Sequence, residues 1–223
     1  MAFPIVENIT TTHIGADLTS HTINIPTCAV GDLIVVFFTC DNASVLISIN
    51  ETLSDDGWYK LTQLTSANNT SAIFLKAALT IDDLVLTLDS AQQSTAITYR
   101  ISGYNNYLPA QSSQYSYGAN INPPPIATSG TNDILFLVYG GTDGAIVASA
   151  APINFTGLTT VTGSSDGSSS SSAYRYLTRL AGSANYDPGS FTSSAADWVS
   201  FTMCIYPDNS DVGFISNLGI VEP

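Results

Sequence analysis

Six consecutive apolar residues, Leu33 to Phe38, stand between the pair Gly31-Asp32 and the polar stretch Thr39-Cys40-Asp41. The run is far shorter than the ~20 residues that cross a bilayer as a helix. It is apolar at both parities, and a short run of that kind fits a central strand covered on both faces of its sheet. A second run of the same kind, 134–139 in "NDILFLVYGGTDG", follows at an offset of 101 when Leu33 is laid on Ile134.

Other segments repeat at similar spacing. Strand-like patterns fall at 33–40, 45–49, 58–64, 72–79, 84–88 and 95–104, and again at 134–139, 145–149, 155–161, 173–180, 190–194 and 197–206. Leu79 lies on Leu180 at an offset of 101, Tyr104 on Tyr206 at 102 and Trp58 on Phe155 at 97. No segment keeps an amphipathic helical period over three turns, and Pro123, Pro124 and Pro125 fit neither a helix interior nor a central strand, so they mark the midpoint. The expected fold is therefore all-β, a sandwich of jelly-roll type built from two similar antiparallel halves, an internal duplication. The halves are 28–104 and 131–206, joined by a crossover at 105–130. Residues 1–27 and 207–223 lie outside them, as arms reaching neighbours or as an ordinary edge strand and a frayed tail. In the last strand Val199, Phe201, Met203 and Ile205 share one face, with Trp198, Ser200, Thr202 and Cys204 on the other.

Composition agrees with strands and loops. Charged residues make up 10% of the chain, too few for the exposed faces of a helical protein, and the polar remainder is rich in Ser, Thr, Asn, Gln and Gly. The formal charge of −13 rests on 18 acidic residues against Lys60, Lys76, Arg100, Arg175 and Arg179. That balance offers no basic footprint for nucleic acid and disfavours anionic membranes. The N-terminus lacks a basic region followed by an apolar one, which sets the expectation of synthesis in a cytoplasm without export. Cys28, Cys40 and Cys204 have no metal-type spacing and read as buried small residues or free thiols.

Chemistry-bearing constellations are scarce. His13 and His21 are the two histidines, and no Gly-x-Ser-x-Gly, His-Glu-x-x-His or phosphate-loop pattern occurs. No catalytic residue, metal ligand or cofactor is expected. The pairs Asp55-Asp56, Asp82-Asp83 and Asp208 with Asp211 read as turn caps or, less simply, as calcium-binding carboxylates without a calcium-loop signature. "GSSDGSSSSS", 163–172, reads as a mobile loop tip. The segment 104–118 concentrates Tyr104, Tyr107, Tyr115 and Tyr117 among Asn, Gln and Ser. Such tyrosines contact a protein partner or stack on sugar rings, or they close one end of a sandwich.

The order "AVGDLIVVFFTCD", "GWYKL", "AIFLKAAL", "AITYRISGY", a proline-marked crossover and "NDILFLVYGG" resembles β-rich virion proteins of tailed bacteriophages. The likeness runs over roughly residues 28–206. It departs where "SDDGW" lacks the proline that often precedes Gly-Trp, and where Phe155 stands in the second copy in place of a Trp. The resemblance implies a non-enzymatic virion component. The expected role is capsid decoration, a cement protein that binds the major capsid protein, bridges capsomers and forms a homotrimer at quasi-threefold positions. Other expectations are a receptor- or glycan-binding module of a tail fibre, or a tail or baseplate protein. It transfers no catalytic residues; Trp58 is implied as core, and Gly31 and Gly57 as turn-setting positions.

Overall fold

The computed structural model describes residues 3–43, 47–49, 57–78, 83–105, 109–128, 133–178 and 184–207. These residues form no helix. The first half contains β1 (Ile5–Ile23), β2 (Leu33–Asp41), β3 (Ile47–Ile49), β4 (Tyr59–Thr65), β5 (Asn69–Ala77) and β6 (Leu84–Ser102). The second contains β7 (Ala110–Gly118), β8 (Ile126–Thr128), β9 (Ile134–Asp143), β10 (Thr156–Val161), β11 (Ser168–Leu177), β12 (Ala184–Tyr186) and β13 (Ala196–Ile205). All strand pairs are antiparallel.

One sheet runs in the order β1-β6-β2-β5-β4, with β3 attached to β6; a second runs β7-β13-β9-β11-β10, and β8 and β12 form a separate two-stranded sheet. The two orders are the same when strands are matched by place in their half, and the two apolar runs, β2 and β9, are central in both. Each half supplies one of the two packed sheets. A jelly roll passes its chain back and forth between two sheets, so the expected jelly-roll wiring does not describe this strand order. Neither half buries its apolar face alone; each needs the other.

The sheets pack with β1 against β10, β6 against β11, β2 against β9, β5 against β13 and β4 against β7. Exchanging the halves maps this set onto itself, as in the two-fold contact of a dimer. The core between the sheets holds Leu33, Val35 and Phe37 of β2, Leu135, Leu137 and Tyr139 of β9, and Val199, Phe201, Met203 and Ile205 of β13. The face assignment expected for the last strand holds, with Trp198 and Cys204 in separate clusters on the outer side. The offset of 101 is corrected by one residue: strand side chains alternate, and the positions sharing the inner face, Leu33 with Leu135 and Phe37 with Tyr139, stand 102 apart. Phe37 and Tyr139 then stack on each other, ring centroids 4.8 Å apart and planes 8° from parallel. Counterpart residues meet where the two halves meet.

Both outer faces are covered too. In the first half β1 and β6, each 19 residues, form one long ribbon. Its far part, Ser20–Ile23 against Leu84–Thr87, brings Ile23, Leu84 and Leu86 into a cluster with Ile34, Val36 and Phe38 of β2, and the register breaks between Ile14 and Leu18 and between Leu18 and Ser20 mark its bend. In the second half the same ribbon is in two pieces. β7 pairs with β13, and β8 pairs with β12, with Pro123–Pro125 between β7 and β8. The expected strands 84–88 and 95–104 are thus one strand, and 145–149 and 190–194 are reduced to the single bridge Ala150–Thr192.

Candidate functional site

The segment around the first apolar run shows how the Gly-Asp pair works. Gly31 has φ +90°, a backbone that favours glycine, and Asp32 N–H donates to Ala29 O at 3.1 Å. The nearly buried Asp32 carboxylate accepts from Ala29 N–H at 2.7 Å and from Arg100 Nε at 2.5 Å, and Arg100 also donates to Thr27 O. Asp32 is therefore a turn-former whose charge is neutralised by β6. Trp58, 5% exposed, lies in the outer cluster of the first sheet beside half-buried Gly57, and half-buried Phe155 occupies the matching place just before β10.

The serine run departs most from expectation. Ser168–Ser172, expected in a mobile loop tip, are buried in β11; the turn is confined to the residues before Ser168. They join a polar seam between the sheets. Ser170 Oγ lies 2.6 Å from Tyr139 OH and 2.8 Å from Thr95 Oγ1, and Ser172 Oγ lies 2.6 Å from Tyr99 OH. Thr39 Oγ1 bonds Ser71 Oγ at 2.6 Å and also Tyr139 OH, while Asn69 Nδ2 donates to Gly141 O at 2.9 Å. Serine serves here because its small side chain leaves room for two tyrosine rings and still answers their hydroxyls, which would be costly to bury unpaired. Burial pushes the Tyr99 and Tyr139 hydroxyls well above their ordinary value, so both stay neutral. The seam is sealed from solvent and holds the sheets in register; it offers no group to a substrate.

His21 is likewise internal. Its Nε2 is 2.8 Å from Leu18 O, which can only accept, so Nε2 carries the proton and Nδ1 accepts from Ser94 Oγ at 2.6 Å. Phe38 packs edge-on against the ring, and burial holds the imidazole below its ordinary value. This Ser-His pair pins the bend of the β1–β6 ribbon. The buried Cys40 and Cys204 thiols are pushed up by burial, and Cys28 is half-buried; all three are free.

Carboxylates gather at one end of the sandwich. Burial raises Asp41, with Asp17 and Asp143 adding to the rise, and raises Asp143, with Asp197 adding. Asp41 accepts from Gln93 N–H at 2.7 Å, and Asn68 Nδ2 donates to Asp197. No group among the described residues has the arrangement of a metal site. Of the expected carboxylate pairs, Asp83 is exposed just before β6, while Asp55, Asp56, Asp82, Asp208 and Asp211 lie outside the described residues.

The four candidate tyrosines do not form one surface. Tyr104 is buried, packed into the core between the sheets and bridged to Pro207. Tyr107 lies outside the described residues. Tyr115 and Tyr117, at 59% and 72% exposed, stand on β7, where Val199 and Asp197 of β13 oppose them. The expected crossover linker is thus in part an edge strand, and the signal for it was the alternation of tyrosine with serine. Comparison with protein-family models, curated proteins and solved structures returned no match.

Proposed function

We propose that this chain is a non-enzymatic virion structural protein, a capsid decoration protein that binds the outer shell and bridges neighbouring capsomers. The reading begins from the order of motifs that resembles tailed-phage virion proteins. Its main structural support is that the interior is filled by a hydrogen-bonded seam and packed aromatics, while an uncharged, tyrosine-bearing edge strand is turned outward. A protein with that distribution acts through its surface. The shared strand order further supports descent of the two halves from one duplicated unit.

Copy number per virion, counted by quantitative mass spectrometry, tests the role. Hundreds of copies fit a shell position, and a few dozen or fewer transfer the protein to the tail. Particles stripped of the protein are expected to rupture at a lower temperature than complete ones; an unchanged rupture temperature removes the cement role.

A second reading is favoured by exposed Tyr115 and Tyr117 among serine and glutamine: a glycan-binding module of a fibre. Specific binding on a glycan array that is lost on Tyr115→Ala and Tyr117→Ala would establish it in place of the shell role.

A further inference from the structure

Each five-stranded path ends in two strands that have a single neighbour within it, β1 and β4 in one sheet and β7 and β10 in the other. An end strand presents unpaired backbone N–H and C=O groups, and folded proteins commonly interrupt such edges with charges, bulges or proline. β1 carries Glu7 and Asp17 and several breaks in register. β4 carries Lys60 and a break between Lys60 and Thr62. β10 breaks between Thr156 and Thr159, around Gly157 at φ +63°. β7 has none of these devices. Its nine residues, "AQSSQYSYG", include no charge and no proline, and its register with β13 is unbroken from Ala110–Cys204 to Gly118–Ala196.

We propose that β7 is a strand-addition edge that takes an extended segment of a basic partner protein as a sixth strand of the second sheet. The proposal rests on the decoration reading in one respect, that the shell protein would be the source of the segment. Main-chain hydrogen bonds supply affinity in this mode, and side chains beside the added strand supply choice. Tyr115 and Tyr117 point to one face about 7 Å apart and are placed to pack on it. Charge selects the occupant. Asp197 lies opposite Tyr117 near the Gly118 end of β7, with Asp143, Asp41 and Asp17 close behind, and none of the four is ion-paired among the described residues. The four lysines and arginines among the described residues are engaged elsewhere: Arg100 with Asp32, Lys60 with Ile47 O, Arg175 with Tyr186 OH, and Lys76 over Trp58. A strand with Lys or Arg at the end beside Gly118 is attracted there, whereas a second copy of a chain of charge −13 is repelled.

The test uses the full-length protein and a synthetic Thr/Val peptide about ten residues long with two lysines at its N-terminus, the end that antiparallel addition sets beside Gly118. Amide hydrogen exchange is expected to slow in β7, saturably, and not in β1, β4 or β10. Glutamates in place of the lysines should weaken the effect at least tenfold, and N-methylated peptide amides should abolish it. Unchanged exchange in β7, or equal protection of the other edges, overturns the proposal. Concentration-dependent dimerisation of the protein alone, with β7 protected in the dimer, also overturns it by assigning the edge to a second copy. Peptide binding in β7 by a protein that virions lack leaves the edge standing and removes the decoration role. High copy number without peptide binding does the reverse.

Discussion

The bend that folds each sheet's outer ribbon back over its own strands is made differently in the two halves. In the first, β1 and β6 stay continuous for 19 residues each, and the turn-over is absorbed by breaks in register and pinned by His21 on Ser94 and Leu18 O. In the second, Pro123–Pro125 part β7 from β8, and the corner is tied by Thr202 Oγ1 donating to Pro124 O at 2.6 Å and Ser200 Oγ to Asn122 O at 2.9 Å. The lesson is that one topology tolerates either device. A continuous strand keeps its ladder and spends irregularity on the bend, while prolines give up the ladder and fix the bend through backbone geometry.

The contact that makes the halves comparable is also where the largest effect is expected. Thr39 and Gly141 are counterparts at the corrected offset of 102, and a Cβ on Gly141 would lie 2.0 Å from Thr39 Oγ1 and 2.5 Å from Ser71 Oγ. Gly141→Ala is expected to cost about 1–3 kcal/mol, read from the urea midpoint, with part of the loss recovered in the double variant that also carries Thr39→Ala. A neutral Gly141→Ala would show that the halves do not approach each other through these positions.

A smaller effect tests the proline corner. Pro125 is exposed, and its main contribution is to restrict the unfolded chain, so Pro125→Ala should lower stability by about 0.4–1 kcal/mol. No loss would mean that the side-chain bonds alone hold that bend.

The last difference is acid sensitivity, expected in the first corner only. The folded state keeps His21 neutral and lowers its pKa from 6.5, so the unfolded chain binds the proton more readily. Stability is complete above about 6.5 and falls as pH drops below it toward the lowered folded value. Asp41 and Asp143 work with opposite sign at lower pH: their raised values mean that acidification through them toward 3.8 relieves strain in the folded state. Between pH 7.5 and 5.5, amide exchange at 84–88 should speed up relative to that at 184–186, and His21→Gln should remove the difference. Equal acceleration at both corners would show that acid loosens the sandwich as a whole.

Much of the architecture was legible because strand side chains alternate with period two. The parity of Val199, Phe201, Met203 and Ile205 and the double-sided burial of 33–38 came directly from that rule. The serine run is not legible for the opposite reason: Ser168–Ser172 carry no apolar signal, and what buries them is Tyr99 on β6 and Tyr139 on β9, distant in the chain. The tyrosines of 104–118 were visible as a group, yet their separation into a buried Tyr104 and an exposed Tyr115 and Tyr117 depends on which neighbours β7 and β13 supply.

By itself, then, the sequence determined that the chain would form strands and where its two central strands lie, since alternation and turn chemistry are local. Only the tertiary structure decided that each half supplies one of the two packed sheets, that a polar seam lies between them, and that β7 is the uninterrupted one of their four end strands. Those depend on which faces and edges find partners far along the chain, and a local pattern carries no information about that.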